Sequence, residues 1–378
     1  MLWNIILGSL TVLSLVLTLW QAFEAWRFPL HRRVPAPSRA PAVTLLKPLK
    51  GCDEETSECL KSWLNQDYDG PVQLLFGVAD AQDPVCDLVR ELIAASPGCD
   101  ARLVICPDDR GPNAKVSTLI QLLPHAGHEV VIVSDADVRV PAAFLVEAVA
   151  PLSDARVGLV NCFYQLSNAS NLAMRWEGFA ANADFWSQVL QARRLKPLDF
   201  ALGAVMATTR QQLSKIGGFE ALVDYLADDY RLGNLLAKTG MTIGLCPVVV
   251  ECRSSPTGWK EVWDHQVRWA RTIRVCQPGP YFASLLSNAT LWPLLWILGP
   301  GGEWALSTGG VCLLARMGTG YYCEGKLTRR FSGSSLAVVL LKDLLQIPVW
   351  ALAFLGNRIT WRGRRFEVAA SGKLVKVR

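Results

Sequence analysis

The side chains best able to do chemistry in this 378-residue chain are acids, and they recur where apolar stretches end. Asp80 follows Val72-Gln-Leu-Leu-Phe-Gly-Val78, and Asp135-Ala-Asp137 follows Glu129-Val-Val-Ile-Val-Ser134. Two carboxylates one residue apart can turn toward one divalent cation and a bridging diphosphate, and hard oxygen donors suit Mg2+ or Mn2+. A turn carrying two solvated acids has the same pattern. After the Ile216-Gly-Gly-Phe219 turn, Asp228-Asp229 opens a helical stretch that continues through Leu236. The helix dipole favours acids there in any case, but one of them could act as general base on a hydroxyl. Last comes Trp263-Asp-His-Gln-Val-Arg-Trp269, with Arg271 and Arg274 beyond it. On one helix His265, Arg268 and Trp269 cluster at i, i+3 and i+4, and Arg268 shares a face with Arg271. A guanidinium there could hold a leaving diphosphate bidentately. An amphipathic helix lying on a membrane surface fits the same spacing.

Positioning these acids requires a frame. Val43–Leu49, Val72–Val78, Ala101–Cys106 and Glu129–Ser134 read as buried strands, and 54–66, 84–95 and 115–123 as the helices between them. Near-continuous apolar strands alternating with helices predict an α/β fold with a mostly parallel sheet covered on both faces. In such sheets ligands bind beyond the carboxyl ends of the strands, where the acids fall. No G-x-G-x-x-G follows the first strand and no G-K-[ST] loop occurs, so a nicotinamide or P-loop site lacks its phosphate cradle.

The composition places this frame beside a membrane. Apolar residues make up 51% of the chain and charged ones 19%, against about 25% charged in an ordinary globular domain. Mean hydropathy is +0.23. Disorder is excluded by the apolar content, and a net charge of +5 does not suggest a nucleic-acid partner. Eleven scattered cysteines without a C-x-x-C pair read as reduced thiols. Residues 1–23 carry no charge and are long enough to span a bilayer. Arg27, His31, Arg32, Arg33 and Arg39 follow them, so an uncleaved anchor with the downstream side cytoplasmic is expected. Residues 1–26 are thus expected to be a transmembrane anchor, 42–278 the cytoplasmic catalytic domain, 279–356 transmembrane or re-entrant helices, and 357–378 a basic cytoplasmic tail. Three C-terminal runs, 282–300, 305–317 and 336–355, cannot all cross if the tail is cytoplasmic, and Lys342-Asp343 marks the third as the re-entrant or interfacial one.

Leu-Leu-Lys-Pro-Leu-Lys-Gly at 45–51, Asp80, Asp135-Ala-Asp137, Asp228-Asp229-Tyr230 and Arg268-Trp269 together resemble the membrane-anchored glycosyltransferases of the GT-A fold. The set is most similar to the ceramide glucosyltransferase family (glycosyltransferase family 21). Hopanoid-linked N-acetylglucosamine transferases share much of it. The family pattern is summarised as D, D, D, (Q/R)xxRW. The resemblance implies that Asp80 helps hold the uridine diphosphate end and that Asp135 with Asp137 forms the metal-binding pair. It implies that Asp229 is the base that deprotonates the acceptor hydroxyl, with Asp228 where glutamate is common. Lys115, Asp135, Arg268, Trp269 and His265 are expected to contribute to the UDP-sugar site. His265 stands where glutamine or arginine is the rule.

The implied activity is inverting transfer of glucose from UDP-glucose to the primary hydroxyl of ceramide, giving a β-glucosylceramide, with Mn2+ or Mg2+. The alternative is transfer of N-acetylglucosamine to a hopanoid lipid such as bacteriohopanetetrol. Either way the partners are a UDP-sugar, a lipid acceptor and the bilayer, with no nucleic acid. The segments 182–187 and 200–205, including Gly203, either shape the sugar or acceptor pocket or are ordinary core.

Overall fold

A computed structural model describes residues 1–33, 40–299, 301–361 and 363–377. Most of the Pro35–Pro41 linker, Arg39 included, lies outside the described residues. The chain forms two compact units. One comprises residues 30–168, 197–255 and 372–378, and the other residues 1–29, 169–196 and 256–371. Residues 169–196 and 256–278, read from sequence as part of the catalytic body, therefore pack with the apolar helices.

The first unit is built on eight strands: β1 Val43–Leu49, β2 Val72–Val78, β3 Asp100–Ile105, β4 Val130–Ser134, β5 Val138–Arg139, β6 Val157–Leu166, β7 Val205–Thr209 and β8 Thr242–Cys252. Their order is β3-β2-β1-β4-β7-β6-β8-β5. The first four run parallel, as the apolar strand–helix alternation predicts. The sheet is nonetheless mixed, because β7 lies antiparallel between β4 and β6, and β5 antiparallel on β8. All seven residues of β1 are buried, Lys47 among them. The helix Val85–Ala94 buries Val85, Cys86, Val89 and Leu92, one stripe at helical spacing. Ala114–Leu122 is capped by Asn113, whose side chain accepts from Val116 N. That helix presses so closely on β2 that a Cβ on Gly77 would stand 2.6 Å from Thr118. Phe76, Phe144 and Phe163 are fully buried in this unit, and truncating one to alanine is expected to cost about 3–5 kcal/mol.

Pro48 shows how the strand ends are prepared. It has no N–H to give a ladder, and β1 pairs with β4 only as far as Leu46 opposite Val133. The two strands part just beyond that point, where β4 delivers Asp135.

The second unit is helical. Leu2–Arg27 buries Thr11, Ser14, Thr18, Gln21 and Ala25 while Trp3, Ile5, Val12, Val16 and Leu19 are exposed. Apolar outside and small or polar inside is the arrangement of a helix packed in lipid. Two described helices are long and apolar enough to cross a membrane, Leu2–Arg27 and Ser335–Phe354. In the first C-terminal run, 278–287 and 291–298 meet at 46°, a broken span or re-entrant loop. Ser335–Phe354 is one helix because its charges are neutralised internally. Arg316 of the Gly302–Thr328 helix donates from Nε to Asp343 Oδ2 and from Nη2 to Asp343 Oδ1, each at 2.8 Å. Its Nη2 also reaches Asp184 Oδ2 at 2.8 Å, Lys342 pairs with both acids, and Thr290 donates to Asp343 Oδ2 at 2.6 Å. Asp184 lies on a π-helical turn, Ala180–Phe185, between the helices Leu172–Phe179 and Trp186–Leu195. Two cations and two carboxylates, all buried, leave no net charge to place in lipid. The basic tail is not featureless, since Arg358–Trp361 and Arg364–Val368 form an antiparallel pair.

Candidate active site

In the sheet unit the acids gather around a lysine. Lys115, in the first turn of the Asn113-capped helix, is buried and pairs with Asp135 Oδ1 at 2.7 Å and Asp228 Oδ2 at 3.2 Å. Burial alone would lower its pKa, but the charges of Asp135 and Asp228 outweigh burial and hold it above the ordinary lysine range. Asn113 also donates from Nδ2 to Tyr225 O at 2.8 Å and to Asp228 Oδ1 at 3.4 Å. One asparagine thus starts one helix and fixes the acid that starts another, Asp228–Lys238.

Asp229, the next residue, accepts from Tyr230 N at 2.7 Å. Its pKa is pushed up to about 7, first by burial and then by the charge of Asp228, with Lys115 opposing. Asp137 is pushed up to about 6, first by the protein mass around it and then by Asp135, although its side chain meets solvent. Beneath them, Lys47 Nζ donates to Asp135 O at 2.6 Å and to Ser134 Oγ at 3.2 Å. Burial lowers its pKa to about 8, against the opposing charges of Cys59, Asp137 and Asp135. Its ammonium lies 5.0 Å from the centre of the Trp63 ring.

The structure therefore joins Lys115, Asp135 and Asp228 directly and sets Asp137 and Asp229 within electrostatic reach of them. Asp80 stands exposed at the end of β2, accepting from Gln82 N at 2.9 Å. Sequence reasoning missed Lys47 and Asn113 as site residues. A lysine inside an apolar strand and an asparagine just before a helix were the available signals.

His265, Arg268 and Trp269 lie in the helical unit, on Trp259–Cys276. His265 Nδ1 bonds Glu177 Oε1, and the same oxygen accepts from Gln266 Nε2 at 3.1 Å. The His265 and Trp269 rings lie 4.5 Å apart, centre to centre. Trp176, beside Glu177, packs its ring against Trp259 at 5.9 Å and Trp263 at 5.8 Å.

Among the described residues no group of three or more His, Cys, Asp or Glu side chains forms a metal centre. Asp135 and Asp137 still suit a hard cation. Mg2+ is typically held by one or two carboxylates together with substrate phosphates, and a cation would relieve the repulsion that raises Asp137.

This mixed sheet, with acids at the ends of its parallel strands, is that of the GT-A glycosyltransferases. In fold the chain is similar to the mannosyltransferase PcManGT from Pyrobaculum calidifontis, solved in complex with GDP-Man and Mn2+, with a TM-score of 0.54. The match spans 93% of this chain and 96% of that one at 21% identity, a likeness of fold alone. The chain belongs to glycosyl transferase family 21, whose pattern it matches over residues 6–374. Its relatives include a ceramide glucosyltransferase of Komagataella phaffii, 23% identical over 96% of this chain and 91% of that one. Ceramide glucosyltransferase 1 of Caenorhabditis elegans is 22% identical over 97% and 80%. A ceramide glucosyltransferase of Candida albicans is 33% identical, over only 29% of this chain and 22% of that one.

Proposed function

We propose that this glycosyltransferase moves glucose from UDP-glucose to the primary hydroxyl of ceramide with inversion, giving a β-glucosylceramide. One observation carries the chemistry: Asp229, with a pKa of about 7, stands next to an acid pinned by a buried lysine. A base poised near neutral pH takes a hydroxyl proton effectively. In this reading Asp229 accepts the proton as the acceptor oxygen attacks the anomeric carbon, and UDP departs. One attack by one nucleophile inverts the configuration, so an α-linked donor yields a β-glycoside. Lys115 holds Asp135 and Asp228 in place, and Asp80 binds toward the uridine end. Arg268, Trp269 and His265 are assigned to UDP-sugar binding from their place in the family pattern. Asp135 and Asp137 would hold Mn2+ or Mg2+, which supplies positive charge against the departing diphosphate.

A lipid acceptor is supported by the helical unit, whose apolar helices would keep the enzyme where the acceptor is dissolved and raise its local concentration. The basic residues that follow Leu2–Arg27 favour a cytoplasmic position for residues 42–278. The test uses the full chain in nanodiscs with Mn2+, UDP-glucose or UDP-N-acetylglucosamine, and ceramide or bacteriohopanetetrol. Glucosylceramide as the main product is expected. Transfer of N-acetylglucosamine to the hopanoid alone would overturn the substrate assignment, and full activity in Asp229→Asn would overturn the base.

A further inference from the structure

Residues 372–378 of the basic tail count with the sheet unit, and they run beside the stretch that delivers Asp228 and Asp229. Leu374 N donates to Asp224 O at 2.7 Å, and Leu226 N donates to Gly372 O at 3.4 Å. Between these two rungs Tyr225 and Lys373 stand opposite each other in an antiparallel bridge. Gly372 has a φ of +84°, the left-handed region that glycine reaches without steric cost, and Leu374 is buried. Lys373 Nζ also meets Asp224 Oδ2 at 3.0 Å, but both side chains are half exposed and such a pair contributes little. The holding is therefore done by backbone bonds.

The same stretch has a second set of bonds. Asn113 N donates to Val223 O at 3.0 Å and Asn113 Nδ2 to Tyr225 O at 2.8 Å. Residues 223–226 are thus bonded both to the start of the Lys115 helix and to the tail, and only Ala227 separates them from Asp228. Arg231, in the helix that Asp228 opens, sets its guanidinium 4.6 Å from the centre of the Tyr225 ring, so the bridged tyrosine is tied to that helix as well. Loop backbone without such partners opens locally at small cost. We propose that residues 372–374 are a positioning clip for the Asp228-Asp229 helix start, fixing residues 224–226 and through them the Asp229 carboxylate. The clip's part in transfer rests on the reading of Asp229 as base.

Amide hydrogen exchange of the full chain in phosphatidylcholine nanodiscs tests the clip without any substrate. Leu374→Pro removes the N–H that Asp224 accepts, and Leu374→Ala keeps it. Peptides covering 222–230 are expected to exchange about fivefold faster in Leu374→Pro than in wild type, the scale of one backbone hydrogen bond, with Val43–Leu49 unchanged. Leu374→Ala is expected to fall well short of that. Equal exchange in wild type and Leu374→Pro, or equal acceleration in both variants, would overturn the backbone clip. If Leu374→Pro unfolds, which fast exchange in Val43–Leu49 would report, Gly372→Ala strains the same turn and carries the same expectation. UDP-glucose binding and turnover then test the positioning. A kcat roughly tenfold lower is expected, with binding stoichiometry and Kd unchanged. A lower stoichiometry would assign the loss to unfolding and overturn the proposal. Faster exchange with wild-type kcat would overturn the positioning role, whereas Asp229→Asn decides the base by itself.

Discussion

Gly203 lies against Asp229: a Cβ at position 203 would stand 2.7 Å from Asp229 Oδ2. The space a side chain would fill is taken by the carboxylate that the proposed mechanism uses as base. Gly203→Ala is expected to displace that carboxylate and lower kcat by roughly a hundredfold, the scale of a misplacement near 1 Å. Near-native thermal stability should accompany the loss. Steady-state kinetics on the purified variant checks this, and an unchanged kcat would remove Asp229 from the chemistry.

The raised pKa of Asp229 sets a pH profile. With a value of about 7, transfer should rise with pH and reach half its plateau near neutrality. A carboxylate of ordinary pKa would already be ionised by about pH 5. Stability runs the other way. The folded carboxyl binds its proton more tightly than the unfolded one, so folding is penalised once pH exceeds the folded value and is unpenalised below the unfolded value. Asp229→Asn should therefore raise Tm at about pH 8 and leave it unchanged near pH 4. Equal effects at both pH values would contradict the shift.

Lys115 neutralises two acids that are close to each other, so its removal should do more than delete one contact. Lys115→Met removes the cation that both Asp135 and Asp228 contact and leaves the buried Asp228 without it, which is expected to lower Tm. Double replacement with Asp228→Asn should recover part of that loss. Thermal unfolding of the three proteins measures it, and strictly additive losses would argue against the pairing.

Chelation tests the cation. EDTA should abolish transfer and Mn2+ should restore it, and Asp137→Asn should raise the Mn2+ concentration needed for half-maximal rate by tenfold or more. Activity indifferent to EDTA would dismiss a metal role for Asp135 and Asp137.

In the helical unit, Asp343→Asn leaves Arg316 and Lys342 sharing a single carboxylate, Asp184. A lower Tm of the detergent-solubilised chain is expected. Arg316→Met combined with Asp343→Asn should lose less than the sum of the two single changes, because it removes one charge of each sign.

Much of the sheet was legible because buried parallel strands are written as unbroken apolar runs. Val43–Leu49 and Val72–Val78 appear in the structure with the bounds that their residues suggest. The antiparallel insertion of β7 was not legible, since Val205–Thr209 carries no sign of which strands it will join. Asp135, Asp137, Asp228 and Asp229 stood out as acids at strand and helix ends. Lys47 did not, because its role depends on β1 parting from β4 beyond Leu46, a fact of pairing rather than of local pattern. The partners of Lys342-Asp343 were hidden for a related reason. A charged pair breaks an apolar run only when it has no partners, and Asp184 and Arg316 supply them from distant sequence.

The division of the helical unit among three stretches of chain has a bearing on biosynthesis. Leu2–Arg27 is translated before residues 30–255, which hold all eight strands of the large sheet, yet the Gly302–Thr328 helix it packs against follows them. At ~5–20 residues per second that gap is on the order of 15–60 s. Until residues 291–298 emerge, Trp186–Leu195 can cover part of the stripe of Thr11, Ser14, Thr18 and Gln21, Gln21 Nε2 donating to Gln191 Oε1 at 3.5 Å, and the rest waits. Leu2–Arg27 must therefore wait as a half-made interface, while the acid-bearing strands of residues 30–255 are free to pair ahead of it.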